Sequence, residues 1–258
     1  MRFRPAFAIF CLAAALPAAA GDLRREQDYA EQIQRQLAAG RVVWLQSPRQ
    51  PFLGLYTDAE KSDNRNAVIV LHDMGGHPDQ SPVIRGLRAA LPKHGWATFS
   101  LQMPVQEIGA SFDDYIVLFD DAAARIDAAV AYLQQGGAKR IAVVGYGVGA
   151  AMALYRLSTK PDGIMAFAAI SLPFGDNRLP QAQSLEQIKN IGLPFLDVYA
   201  EFDVAAVVDS AWQRRMAAKD NPVYRQIRME GEGHAYQHDD NLLIKRVYAW
   251  LTLTANEK

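Results

Sequence analysis

Two hydrophobic rhythms alternate along the chain. Continuous apolar runs at 66–71 (NAVIVL), 96–103, 140–146, 163–172 and 193–200 read as strands buried on both faces. Between them, 83–95, 113–137, 148–160, 184–190, 210–220 and 241–254 read as helices. Upstream, 41–46 (RVVWLQ) and 51–58 (PFLGLYTD) read as short strands around a proline-containing turn. Residues 22–38 read as a polar amphipathic helix whose arginines form a solvated face, and 224–234 as a last strand.

Strands alternating with helices predict an α/β fold, a mostly parallel central sheet with helices on both faces. Right-handed crossovers place the loops after the strands ending near Leu71, Gly145, Ala200 and Met229 on one edge. Open α/β sheets bind their ligands at that edge.

The first residues break the pattern. Arg2 and Arg4 precede an apolar run that ends at Pro17 and the small residues Ala18, Ala19 and Ala20. This is the three-part form of a secretory signal, with cleavage expected after Ala20. The run is too short to cross a bilayer as a helix, so the chain is expected not to span the membrane after cleavage. The expected organisation is a signal peptide at 1–20, an N-terminal helix at 21–40 and one domain at 41–258, in a periplasmic or secreted protein. The single cysteine, Cys11, lies in the signal, which leaves no thiol or disulfide in the mature chain. With 258 residues, 50% of them hydrophobic, the chain can bury a large core. A net charge of −1 gives no bias toward nucleic acid.

Residues 141–151, IAVVGYGVGAA, lead a buried strand into glycines at 145, 147 and 149 and then into a small-residue helix start. That is the strand–turn–helix form of a nucleophile elbow, G-x-S-x-G, with Gly147 where the serine would stand. Asp203 (YAEFDV) and His234 (GEGHAY) follow in that order, and His72-Asp73-Met74-Gly75-Gly76 lies upstream.

In this order of parts the chain resembles the α/β-hydrolase superfamily over residues 40 to 256. The run 77–104 (HPDQSPVIRGLRAALPKHGWATFSLQMP) further resembles DUF3530, a family of exported proteobacterial α/β-hydrolase-like proteins of unknown function. The hydrolase resemblance implies that Asp203 orients His234 and stabilises its charged form, and that His234 moves a proton. It implies an oxyanion-type amide at Val148 and a second around Asp73 or Met74, with His72 and Tyr146 in the cleft. Read without the resemblance, Asp203 is equally a loop acid capping the next helix.

Gly147 offers no oxygen for an acyl-enzyme; Tyr146 beside it is expected to pack away from the substrate, and Ser100 and Ser171 do not lie at a turn that would replace it. Three readings stay open. The chain is a pseudoenzyme that binds an unknown small molecule or an envelope protein in the cleft. Or it is an atypical ester or amide hydrolase, using water activated by Asp203 and His234, or a metal. Or it is an envelope assembly factor that docks through residues 22–38. No cofactor is expected. His72, His77, His234 and His238 with Asp203 are histidine and carboxylate donors suited to zinc, but their spacing matches no metal motif. Serine restored at 147 is expected to bring ester turnover if the remaining parts are aligned.

Overall fold

The structure, a computed structural model, describes residues 21–60, 65–175 and 178–256. The signal expected at 1–20 lies outside the described residues. The strands are β1 (Arg41–Gln46), β2 (Pro51–Thr57), β3 (Asn66–Leu71), β4 (Trp96–Leu101), β5 (Arg140–Tyr146), β6 (Ala166–Ile170), β7 (Phe195–Phe202) and β8 (Tyr224–Gly233). The helices are α1 (Leu23–Gln36), α2 (Val83–Ala90), α3 (Phe112–Tyr115), α4 (Phe119–Gln135), α5 (Val148–Thr159), α6 (Ser184–Asn190), α7 (Ala205–Val208), α8 (Ala211–Ala217) and α9 (Asp240–Asn256).

The strands form one sheet in the order β1-β2-β4-β3-β5-β6-β7-β8. β1 and β2 run antiparallel, to each other and to β4, and every pairing among β3 to β8 is parallel. Successive strand residues point to opposite faces, so each apolar run fills two cores. Ala67, Ile69 and Leu71 pack with Phe119, Ile126 and Leu154 on the α4–α5 side. Val68 and Val70 pack with Ile84, Leu87 and Val247 on the α2–α9 side. Six parallel strands leave the ends of β3, β5, β7 and β8 on one edge, as the sequence predicts.

Two local expectations change. The helix expected over 113–137 is divided into α3, a 3-10 turn at Ile116–Leu118, and α4. Tyr115, Ile116, Leu118 and Phe119 are all buried. In the 3-10 turn Tyr115 lies over Leu118 and Ile116 over Phe119, with Val117 left exposed.

The arginines of α1 are not only a solvated face. Arg25 donates to the carbonyls of Gly75 (3.0 Å) and Gln106 (3.1 Å), and Tyr29 donates to the same Gly75 carbonyl (2.7 Å). One turn away, buried Glu26 accepts from Arg125 at 2.8 Å, and Arg125 also pairs with Asp121 at 2.9 Å. Burial raises the Glu26 carboxyl above its ordinary range even with Arg125 against it. Ala30 and Ile33 close the contact against Leu53 and Leu55 of β2. Among the described residues, no helix is long and apolar enough to cross a membrane.

Candidate active site

The elbow is built where β5 turns into α5. Gly147 has φ 55° and ψ −124°, a region that side-chain-bearing residues enter only with strain. Its amide donates to Ile170 of β6 at 2.9 Å, and its carbonyl accepts from Ala150 at 3.0 Å, which starts the helix. A side chain on Gly149 would meet the His72 carbonyl at 2.4 Å, so α5 can approach β3 this closely only with glycine there.

Asp203 and His234, 31 residues apart in the chain, meet at the neighbouring loops of β7 and β8. His234 Nδ1 lies 2.6 Å from Asp203 Oδ1. The Asp203 carboxylate also accepts from the amides of Ala200 (3.1 Å) and Val204 (2.9 Å) and from Ser171 Oγ (2.5 Å). Burial works against the Asp203 charge, but these donors hold its carboxyl below the usual carboxylate range. Ser171 bonds in turn to buried Tyr236 at 2.9 Å. Tyr146 stacks its ring on His234, with centroids 5.2 Å apart, and donates to the His234 carbonyl at 2.8 Å.

On the other side of His234 stands Asp73. Its Oδ2 accepts from His234 Nε2 at 2.9 Å, and its Oδ1 accepts from the Val148 amide at 2.7 Å. A Cβ placed on Gly147 would lie 1.8 Å from Asp73 Oδ1 and 2.0 Å from Cγ. The carboxylate of Asp73 therefore fills the volume of the elbow side chain. It also takes the amide expected to serve an oxyanion. The hydrolase resemblance implies a role for Asp73 and Met74 through their amides alone. The loop presents a carboxylate to this seat.

The loop is bent to do so by its own bonds. The Asp73 carbonyl accepts from the Gly76 amide at 3.0 Å and from His72 Nδ1 at 2.8 Å. His72 Nε2 accepts from the Met103 amide at 2.9 Å. Burial pushes His72 down to about 3, so the ring stays neutral and acts as a brace under the loop. The Gly75 amide donates to Tyr115 at 2.8 Å, while α1 holds the Gly75 carbonyl. Burial pulls His234 down, but its hydrogen bonds to Asp203 and Asp73 more than offset this and raise it to about 9. At neutral pH it is an imidazolium between two carboxylates.

Ser171 supports Asp203 rather than facing His234, and Ser100 is buried within β4. Asp79 donates its amide to His77, and His77 packs against Tyr29. Among the described residues, no group of three His, Cys, Asp or Glu side chains could hold a metal ion, so the histidine–Asp203 cluster does not assemble. Cavities of about 610 and 440 Å³ lie elsewhere. Arg41, Asn66 and Tyr132 line the first, and Gln36, His77 and Arg88 the second.

The sequence matches the family described as Protein of unknown function (DUF3530) over residues 13–112 and 119–253. The chain belongs to the DUF3530 family. No curated protein matches it in sequence. This DUF3530 chain is similar in structure to Est1E from Butyrivibrio proteoclasticus, with a TM-score of 0.65 and 14% identity over 83% of this chain and 98% of that one. It is similar to XC6422 from Xanthomonas campestris, an α/β serine hydrolase without a lid, with a TM-score of 0.65 and 14% identity over 86% and 97%. It is also similar to the Pyrococcus furiosus esterase Pf2001, with a TM-score of 0.67 and 16% identity over 84% and 93%. At these identities the likeness is one of fold: the DUF3530 chain has the α/β-hydrolase fold.

Proposed function

We propose that this exported DUF3530 protein works by binding at the former catalytic edge, as a pseudoenzyme without serine chemistry. One observation carries the reading: residue 147 is glycine, and the Asp73 carboxylate occupies the space its side chain would take. A triad deprived of its nucleophile loses about six orders of magnitude in turnover. Here, moreover, the base is already protonated and paired. A ligand or an envelope partner is the expected occupant of the edge.

The alternative, hydrolysis through a water activated by His234, draws support from the 2.6 Å contact between His234 and Asp203. It requires Asp73 to leave and His234 to lose its proton first. Assembly through α1 has less support, because Glu26, Ala30 and Ile33 are spent on contacts within the chain.

The test is a fluorophosphonate probe on the mature protein. No adduct is expected, and a stoichiometric adduct on any residue would overturn the reading. Mass measurement of the exported protein is expected to give a chain beginning at Gly21.

A further inference from the structure

The Asp73 carboxylate fills the seat with one oxygen on the Val148 amide and the other on the His234 ring. The two donors, Val148 N at 2.7 Å and His234 Nε2 at 2.9 Å, bind its two oxygens separately. Two donors, one for each oxygen, match a carboxylate. Neither lysine nor arginine contributes, as recognition of a more highly charged anion would favour.

The occupant is able to leave. The backbone of Asp73 is tied down by His72 and Gly76, but its side chain is held only at the seat, with 12% of its surface exposed. Rotation about Cα–Cβ frees the seat with the loop unmoved. His234, 30% exposed, stays reachable from solvent. The loops of this edge also expose large apolar side chains. Met74 adjoins Asp73, Phe202 and Val204 flank Asp203, and Ile108 lies in the loop after β4, which Arg25 ties to Gly75. Ile108 is 86% and Phe202 70% exposed. Isolated apolar residues on a surface are ordinary, but these four stand on loops that carry or adjoin the seat residues, and they offer an apolar chain a surface to lie on.

We infer that the seat is a binding site for a monocarboxylate bearing an apolar chain, which exchanges with Asp73. The ligand carboxylate bridges the Val148 amide and the His234 ring, and its chain lies on the apolar rim. This inference rests on the pseudoenzyme reading and names its ligand class. Asp73 then acts as an internal competitor, which lowers apparent affinity by the fraction of time it occupies the seat.

The experiment compares the full mature protein with Asp73→Ala, using octanoate, N-acetyl-leucine, acetate and inorganic phosphate as probes. The His234 ring and the Val148 amide are followed by NMR. Asp73→Ser serves the same comparison if alanine disturbs folding, as judged by the melting temperature. The His234 pKa is expected to fall in the variant and to recover by a unit or more as octanoate saturates. Octanoate is expected to bind the variant at least tenfold more tightly than the wild type, and more tightly than acetate. Octanoate and N-acetyl-leucine distinguish an acyl chain from a peptide end as the source of the carboxylate. If the His234 pKa falls but no carboxylate restores it, the inference is overturned while the closed seat stands. An unchanged pKa in the variant overturns both. Equal binding of acetate and octanoate removes the apolar chain, and tighter binding of phosphate removes the carboxylate class.

Discussion

Asp73 and Gly147 share one space. The carboxyl atoms of Asp73 lie 1.8, 2.0 and 2.5 Å from where a Cβ on residue 147 would stand, so the two positions cannot both carry their side chains in this arrangement. Ester turnover on restoring serine at 147 was expected only with the remaining parts aligned, and the Asp73 carboxylate stands in the way of that serine.

Gly147→Ser by itself is expected to give no ester turnover and to lower stability by about 1–3 kcal/mol, from backbone strain at positive φ and the collision with Asp73. Combined with Asp73→Ala, it is expected to create a measurable p-nitrophenyl acetate esterase that reacts with fluorophosphonates. Equal turnover in the single and double variants would show that Asp73 does not block the seat.

The two histidines of this edge set opposite limbs of a pH–stability profile. His234 has a folded value of about 9 against an ordinary 6.5. Its contribution is complete below 6.5 and is lost as pH rises through 9. Its partner Asp203, held low, sustains that pair until pH falls through its own depressed value. His72, held near 3 by burial, acts in reverse: below 6.5 the unfolded chain takes up a proton that the folded chain does not. Stability is therefore expected to peak near pH 6.5. Urea midpoints across pH 4–10 measure it, and His234→Gln is expected to flatten the alkaline limb.

Arg125 neutralises Glu26 and Asp121 in a site with no exposed surface on the arginine. Arg125→Met is expected to cost about 3–5 kcal/mol, because two carboxylates stay buried without their partner. Glu26→Gln is expected to cost less, since Asp121 still pairs with Arg125. Denaturant unfolding of both variants checks the order.

α1 reaches the seat through Gly75. Tyr29→Phe removes one of the two donors to its carbonyl and is expected to cost about 0.5–1.5 kcal/mol. Together with Arg25→Leu it is expected to loosen the Asp73 loop and lower the His234 pKa. An unchanged His234 titration in the double variant would limit α1 to a purely structural role.

Much of the molecule was legible in the sequence. Apolar runs buried on both faces, alternating with helical periods, are local patterns, and they marked the parallel core from β3 to β8. The order of Gly147, Asp203 and His234 along successive strand ends placed them at one edge, because parallel topology sends every such end the same way. Ser111 and Asp114, whose reciprocal bonds cap α3, mark where that helix begins, but no local pattern announces the 3-10 turn that follows it. The acid directly after His72 is also plain in the sequence, but no local pattern relates its side chain to Gly147.

What only the tertiary structure decided is which atoms occupy the seat. Asp73 lies 75 residues from Val148 and 161 from His234, and no local rule relates their side chains. Pairing β3 beside β5 brings the Asp73 loop over the elbow, and His72, Gly76 and the α1 contacts to Gly75 then turn its carboxylate inward. The sequence by itself determined an elbow with no oxygen at its tip. The packing of distant loops determined that a carboxylate from another strand fills the gap and holds the histidine charged.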